Sequence, residues 1–122
     1  MDVNSKPKRI LVVDDNRFER WQIALMCEEW GYEFAEAETA EAGNAKVRAF
    51  RPDVVVCDLT MGRSKVYFEG LRQIREAVGP AVPIVVDSGY ALYEAAARQA
   101  GASEYVCKPN PERLRALLQP QA

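Results

Sequence analysis

The sequence predicts an α/β fold, with five short strands in one parallel sheet alternating with five helices, a (βα)5 arrangement. Three observations carry this prediction. Short apolar runs and helical patterns alternate along the 122 residues, as a parallel sheet requires. The run Asp53-Val54-Val55-Val56-Cys57-Asp58 sets three β-branched residues and a cysteine between carboxylates, the pattern of a strand buried on both faces. Every run except the second ends in a polar or charged residue, and a parallel sheet gathers such ends on one edge.

Taken in order, Arg9 to Val13 is the first strand and leads into Asp14-Asp15. Asn16 can cap the next helix. There Phe18, Trp21 and Leu25, with Ile23, Met26 and Trp30 beside them, are spaced as an apolar face, and Gly31 ends the helix. Tyr32 to Ala37 is the second strand. Thr39 caps a helix reaching Phe50, weakened by Gly43 and Asn44, and Pro52 stops it before the Asp58 strand. Thr60 to Lys65 is a loop. Tyr67, Leu71, Ile74 and Val78 mark the third helix, which carries Gly70 and closes at Gly79-Pro80. Pro83 to Ser88 is the fourth strand, Tyr90 to Ala100 the fourth helix with Gly101 as its stop, and Ser103 to Cys107 the fifth strand. Lys108-Pro109 follows. Asn110-Pro111-Glu112 opens the last helix with a cap, a proline and an acidic first turn, and Leu114, Leu117 and Leu118 give it a buried stripe. A single domain over residues 1–122, with its core at about 8–118, accommodates the pattern.

Composition narrows the function. Hydrophobic content of 48% and charged content of 28% are those of a soluble globular protein. No apolar run approaches the roughly 20 residues of a membrane span, and the start lacks the apolar core of a secretory signal. A net charge of −2 gives no general attraction to nucleic acid. Cys27, Cys57 and Cys107, an odd number without close pairing, read as buried free thiols of a reducing cytoplasm. With no histidine, Ser-His and Cys-His catalysis and most zinc sites are excluded.

The strand ends form a constellation: Asp14 and Asp15, Asp58, Ser88 and Lys108. Each alone suits a cap or a turn. Together, three converging carboxylates repel one another, and a hard divalent cation such as Mg2+ relieves that repulsion. Lysine adds a mobile positive charge for a phosphoryl oxygen, and serine adds a donor. The set suits placing a phosphoryl group on a carboxylate.

At these residues the chain resembles the receiver domains of two-component response regulators. The resemblance runs from about Lys8 to Leu118. It rests on Ile10 through Asn16, Gly31-Tyr32-Glu33, Arg51-Pro52-Asp53 leading to Asp58-Leu59-Thr60-Met61, Pro83 through Gly89, and Gly101 through Pro109. It implies a flavodoxin-like three-layer sandwich with strand order 2-1-3-4-5. It also implies that Asp58 accepts a phosphoryl group from a histidine kinase or phosphotransfer protein. Asp15, Asp58 and the Thr60 carbonyl would hold Mg2+, with Asp14 helping through a water. Ser88 and Lys108 would bind phosphoryl oxygens, Tyr105 would move with Ser88, and Thr60 and Tyr90 would tune rates. Signalling output would pass through the face of the fourth helix, fifth strand and fifth helix. Such a module is cytoplasmic and a switch, not an enzyme turning over an outside substrate.

The chain departs from the family at Gly62, where proline is usual, and at Asp87, where an apolar residue is usual. The segment from Asp58 to Ile74 is about one residue long and that from Ser88 to Gly101 about two residues short of the family pattern. Three further expectations follow. The Lys108-Pro109 bond is cis, as the resemblance suggests. With Ser88 facing the phosphoryl site, Asp87 points away from it and finds a backbone N–H near a helix start, an arginine or a lysine as partner. The loop from Thr60 to Lys65, with Arg63 and Lys65, is mobile until Mg2+ and phosphate bind. The rival readings are a binding module of this fold that never takes phosphate, an FMN binder, and an aspartyl-nucleophile hydrolase. Asp14-Asp15 opposes the second, and the absence of a second aspartate in Asp58-Leu59-Thr60 opposes the third. Gln119 to Ala122 reads as a tail or a linker start, leaving open a stand-alone regulator or a fragment of a hybrid kinase or larger regulator.

Overall fold

A computed structural model describes residues 7–59 and 68–121. The elements alternate as β1 (Arg9–Val13), α1 (Arg17–Trp30), β2 (Glu33–Ala37), α2 (Ala40–Phe50), β3 (Val54–Cys57), α3 (Phe68–Val78), β4 (Ile84–Ser88), α4 (Glu94–Ala100), β5 (Glu104–Cys107) and α5 (Pro111–Leu118). The strands form one parallel sheet in the order β2-β1-β3-β4-β5. The caps expected from the sequence are formed. The Asn16 side chain accepts from the N–H groups of Phe18 and Glu19, and Thr39 accepts from Ala42. Asn110 accepts from Arg113 at the start of α5, and Gly31 closes α1 at φ 72°.

Side-chain alternation divides the core in two. Leu11, Val13, Val55, Cys57, Ile84, Val86 and Tyr105 pack against α2, α3 and α4. Ile10, Val12, Val54, Val56, Val85 and Val106 pack against Ile23 and Cys27 of α1 and Leu114 and Leu118 of α5. Gly43 is buried where α2 crosses β1, and an added Cβ would meet Val13 Cγ2 at 2.6 Å. The glycine that lowers helix propensity is thus what lets α2 seat on the strand. Gly43→Ala should gain about 1 kcal/mol of helix propensity and lose about 1–3 kcal/mol to overpacking. A net loss of about 1 kcal/mol is expected in urea denaturation; a gain would show that β1 yields freely.

The structure corrects three expectations. Of the two apolar rows expected on α1, Ile23, Met26 and Trp30 pack on the core, but Phe18, Trp21 and Leu25 are 71%, 58% and 44% exposed, and the buried residues of the helix are Arg20, Ile23 and Cys27. The helix is turned so that its inward stripe contains an arginine, which apolar spacing cannot detect. The fourth helical stretch is not continuous, since a 3₁₀ turn at Ala91–Tyr93 precedes α4. Cys27 and Cys57 are buried free thiols, but Cys107 is exposed, at the end of the edge strand β5. No helix among the described residues is long and apolar enough to cross a membrane.

Candidate functional site

The site grows out of the strand register. Val12, Val56, Val85 and Val106 share the sheet face covered by α1 and α5. Two residues further along each strand stand Asp14, Asp58, Asp87 and Lys108, on the same side by alternation. Backbone bonds extend the sheet to this level. Asp14 N–H donates to Ala37 O at 3.0 Å, Asp58 N–H to Val13 O at 2.9 Å, and Lys108 N–H to Ser88 O at 2.7 Å. The Lys108-Pro109 bond is cis, as expected.

Asp14 and Asp58 are buried, Asp15 is exposed, and carboxylate oxygens of the three lie within 4.8 Å of one another. All the donors are hard oxygens, the set that suits Mg2+ or a similar cation. Lys108 reaches in from β5, its Nζ 3.2 Å from Asp14 Oδ2 and 3.5 Å from Asp58 Oδ2. Burial raises the Asp14 carboxyl above its ordinary range, while the Asn16 N–H and Lys108 work against that rise. Burial disfavours the Lys108 ammonium, but the fields of Asp58, Asp14, Asp87 and Glu19 outweigh it and the net shift is upward. The lysine therefore stays protonated.

Contrary to the expectation that Ser88 faces the site and Asp87 turns away, alternation puts Asp87 on the side of Asp14, Asp58 and Lys108, and Ser88 on the opposite face, toward Tyr105 and the α3/α4 side. Its Oγ is buried and meets no hydrogen-bond partner among the described residues. It lies near enough to Tyr105 to oppose the rise that burial gives that phenol, yet the Tyr105 hydroxyl donates to the backbone carbonyl of Tyr90. Tyr90 itself is exposed. Thr60, with the loop to Lys65, lies outside the described residues, and with it the expected metal-ligand carbonyl and the expected ordering of the loop.

One residue beside the site is not apparent from sequence pattern, and a second departs from what the pattern leads one to expect. Arg20 lies within the buried face of α1 and donates from Nη1 to the backbone carbonyl of Asp14 at 2.8 Å and from Nε to Glu36 Oε1 at 2.8 Å. It pins the turn that carries the acidic pair to β2. Two acids on β2 and its loop, Glu36 and Glu38, were the available signal for a cation there. Asp87 is the second: the sequence singles it out, but its expected partner is missing. It is buried, yet among the described residues no hydrogen bond or ion pair reaches it. Its side chain faces a small cavity between α1 and α5 in place of a helix start. Lys108, the cation acting on it, is engaged by Asp14 and Asp58.

Residues 10–119 match the family model of the response regulator receiver domain. The chain belongs to that family. Among curated relatives, this receiver domain is 31% identical to protein PilH of Pseudomonas aeruginosa over 107 residues, covering 85% of this chain and 88% of that one. It is 33% identical to chemotaxis protein CheY of Thermotoga maritima over 113 residues, covering 88% and 91%. Against the transcriptional regulatory protein ZraR of Escherichia coli it is 32% identical and spans 23% of that longer chain. Its fold matches chemotaxis protein CheY4 of Vibrio cholerae with a TM-score of 0.80 at 25% identity, covering 93% of this chain and 97% of that one. The receiver domain of a Pseudomonas aeruginosa sensor histidine kinase matches with a TM-score of 0.76 at 25% identity, covering 93% and 95%. That structure holds a magnesium ion in its active-site cleft.

Proposed function

We propose that this receiver domain is a phosphorylation switch in which Asp58 takes a phosphoryl group from the phosphohistidine of a kinase or phosphotransfer protein. The observation that carries this reading is the cluster itself: three carboxylates within 4.8 Å, with Lys108 set between Asp14 and Asp58. An Asp58 oxygen forms the new P–O bond as the donor's P–N bond breaks, and the imidazole leaves and takes a proton from solvent. Asp15, Asp58 and Asp14, with the Thr60 carbonyl, would hold Mg2+. When bound, Mg2+ offsets the negative charge that phosphoryl oxygens bring to an acidic pocket. Lys108, freed from a carboxylate, has ammonium donors for one phosphoryl oxygen, and the unpartnered Ser88 Oγ has a donor for another. Pulling Ser88 toward the phosphoryl group removes it from beside Tyr105 and couples the site to the α4-β5-α5 face, through which the output would pass. Treatment with acetyl phosphate and Mg2+ should add one acid-labile phosphoryl group by intact mass. A protein that gains none would instead be a binding module of this fold.

The exposed Phe18, Trp21 and Leu25 support the choice of a protein donor. They line the outer face of α1, which begins two residues after Asp15. A macromolecule delivering phosphate to Asp58 covers this ridge, whereas acetyl phosphate does not. Trp21→Ala should slow transfer from a phosphorylated donor protein about tenfold or more, as for a buried aromatic anchor. The rate with acetyl phosphate should stay unchanged; equal slowing of both would show that Trp21 acts on the pocket and not on docking.

A further inference from the structure

We propose that Asp87 is a second seat for the Lys108 ammonium, reached through the cavity between α1 and α5. The inference deepens the phosphoacceptor reading by assigning Asp87 as a positioning residue that acts through the lysine. Four observations carry it. Asp87 is 5% exposed and has no hydrogen bond or ion pair among the described residues. It stands on the same sheet face as Asp14, Asp58 and Lys108, by the alternation that follows Val85. Asp87 and Lys108 line one cavity of about 140 Å³, together with Glu19, Gln22 and Asn110. The two groups also feel each other's field, Asp87 helping to hold the ammonium charged and Lys108 opposing the effect of burial on Asp87.

The chemistry gives the lysine a reason to move. At rest its Nζ lies 3.2 Å from Asp14 Oδ2 and 3.5 Å from Asp58 Oδ2, on two of the carboxylates that would hold a divalent cation. A divalent cation and an ammonium on the same two carboxylates would repel each other, which favours departure of the ammonium. Its four-carbon stem is flexible, and the cavity is large enough for several waters, so the head has somewhere to go. Buried Asp87 stands there, and an arriving ammonium favours its ionised form. A phosphoryl group on Asp58 then brings three oxygens that draw the ammonium back. With an apolar residue at position 87 the displaced lysine would have only water; with aspartate it has a paired resting place, and the metal competes against a weaker opponent.

The test measures Mg2+ binding by calorimetry in the wild type, Asp87→Asn, Lys108→Met and the double variant, none of which needs phosphoryl transfer. Asp87→Asn should weaken Mg2+ binding about fivefold when Lys108 is present, and by less than about twofold in the Lys108→Met background, as expected of coupled neighbours. Equal weakening in both backgrounds would mean a plain long-range field, and no weakening in either would mean no role; both overturn the proposal. A second readout is the carbon-13 resonance of the Asp87 carboxyl. Mg2+ should shift it in the wild type and leave it still in Lys108→Met. A carboxyl that ignores Mg2+ in the wild type overturns the proposal even if a variant folds poorly. A protein that shows this coupling yet takes no phosphate would remove the phosphoacceptor reading and leave the lysine's second seat in place.

Discussion

Asp58→Asn is expected to abolish uptake of phosphate from both acetyl phosphate and a phosphoprotein donor. An amide oxygen is a weak nucleophile beside a carboxylate, and the substitution removes one of the three negative charges that make the pocket a cation site. The loss should exceed that of any other single change, because the acceptor atom itself is gone. Asp15→Ala separates the two roles. It keeps the acceptor but removes the exposed carboxylate of the cluster, so the residual rate should no longer depend on Mg2+. Both variants should fold, since Asp15 is exposed and asparagine keeps the shape of Asp58. The measurement is intact mass against time across an Mg2+ series. Full-rate, acid-labile phosphate on Asp58→Asn would remove Asp58 from its place, and an Mg2+-dependent Asp15→Ala would move the metal elsewhere.

Most of the site was legible because its members stand at strand ends. A parallel sheet puts those ends on one edge whatever the helices do, so Asp14, Asp15, Asp58 and Lys108 could be placed together from strand pattern alone, while the side to which Ser88 turns could not. The clustering of three carboxylates and the lysine between two of them follows that topology. What the pattern could not give is which face of a helix turns inward. On α1 the apolar spacing selected both Ile23, Met26 and Trp30, which do pack on the core, and Phe18, Trp21 and Leu25, which do not, and it missed that the inward face holds Arg20. A buried guanidinium is tolerated there because the Asp14 carbonyl and Glu36 satisfy it, a partnership that comes from separate elements. Gly43 misled in the same way: read as a weak point of a helix, it is a point of close approach to Val13. Asp87 was legible as an oddity, and its lack of a partner was not, because that depends on a cavity formed by α1 and α5.

Asp87 should also make the protein less stable as pH rises. Burial lifts its carboxyl from an ordinary 3.8 to about 7, with Lys108 opposing the rise and Glu19 adding to it. A raised value means that between those limits the folded protein holds a proton that the unfolded chain has released. Stability therefore falls as pH climbs from about 4 to about 7, and the dependence levels off above. Each pH unit of that interval costs about 1.4 kcal/mol, which sets an upper limit of roughly 4 kcal/mol; relaxation and water in the cavity reduce this to about 2 kcal/mol. Asparagine cannot ionise, so Asp87→Asn should be more stable than the wild type by about that amount at pH 8 and nearly equal to it at pH 4. Asp14, also raised by burial, tilts both proteins in the same direction and cancels in the difference. The experiment is urea denaturation of both proteins from pH 4 to pH 8 in the presence of a chelator, so that no cation stabilises the acidic cluster. A gap between the two proteins that is constant across this range would show that Asp87 ionises in the folded protein as it does in the unfolded chain.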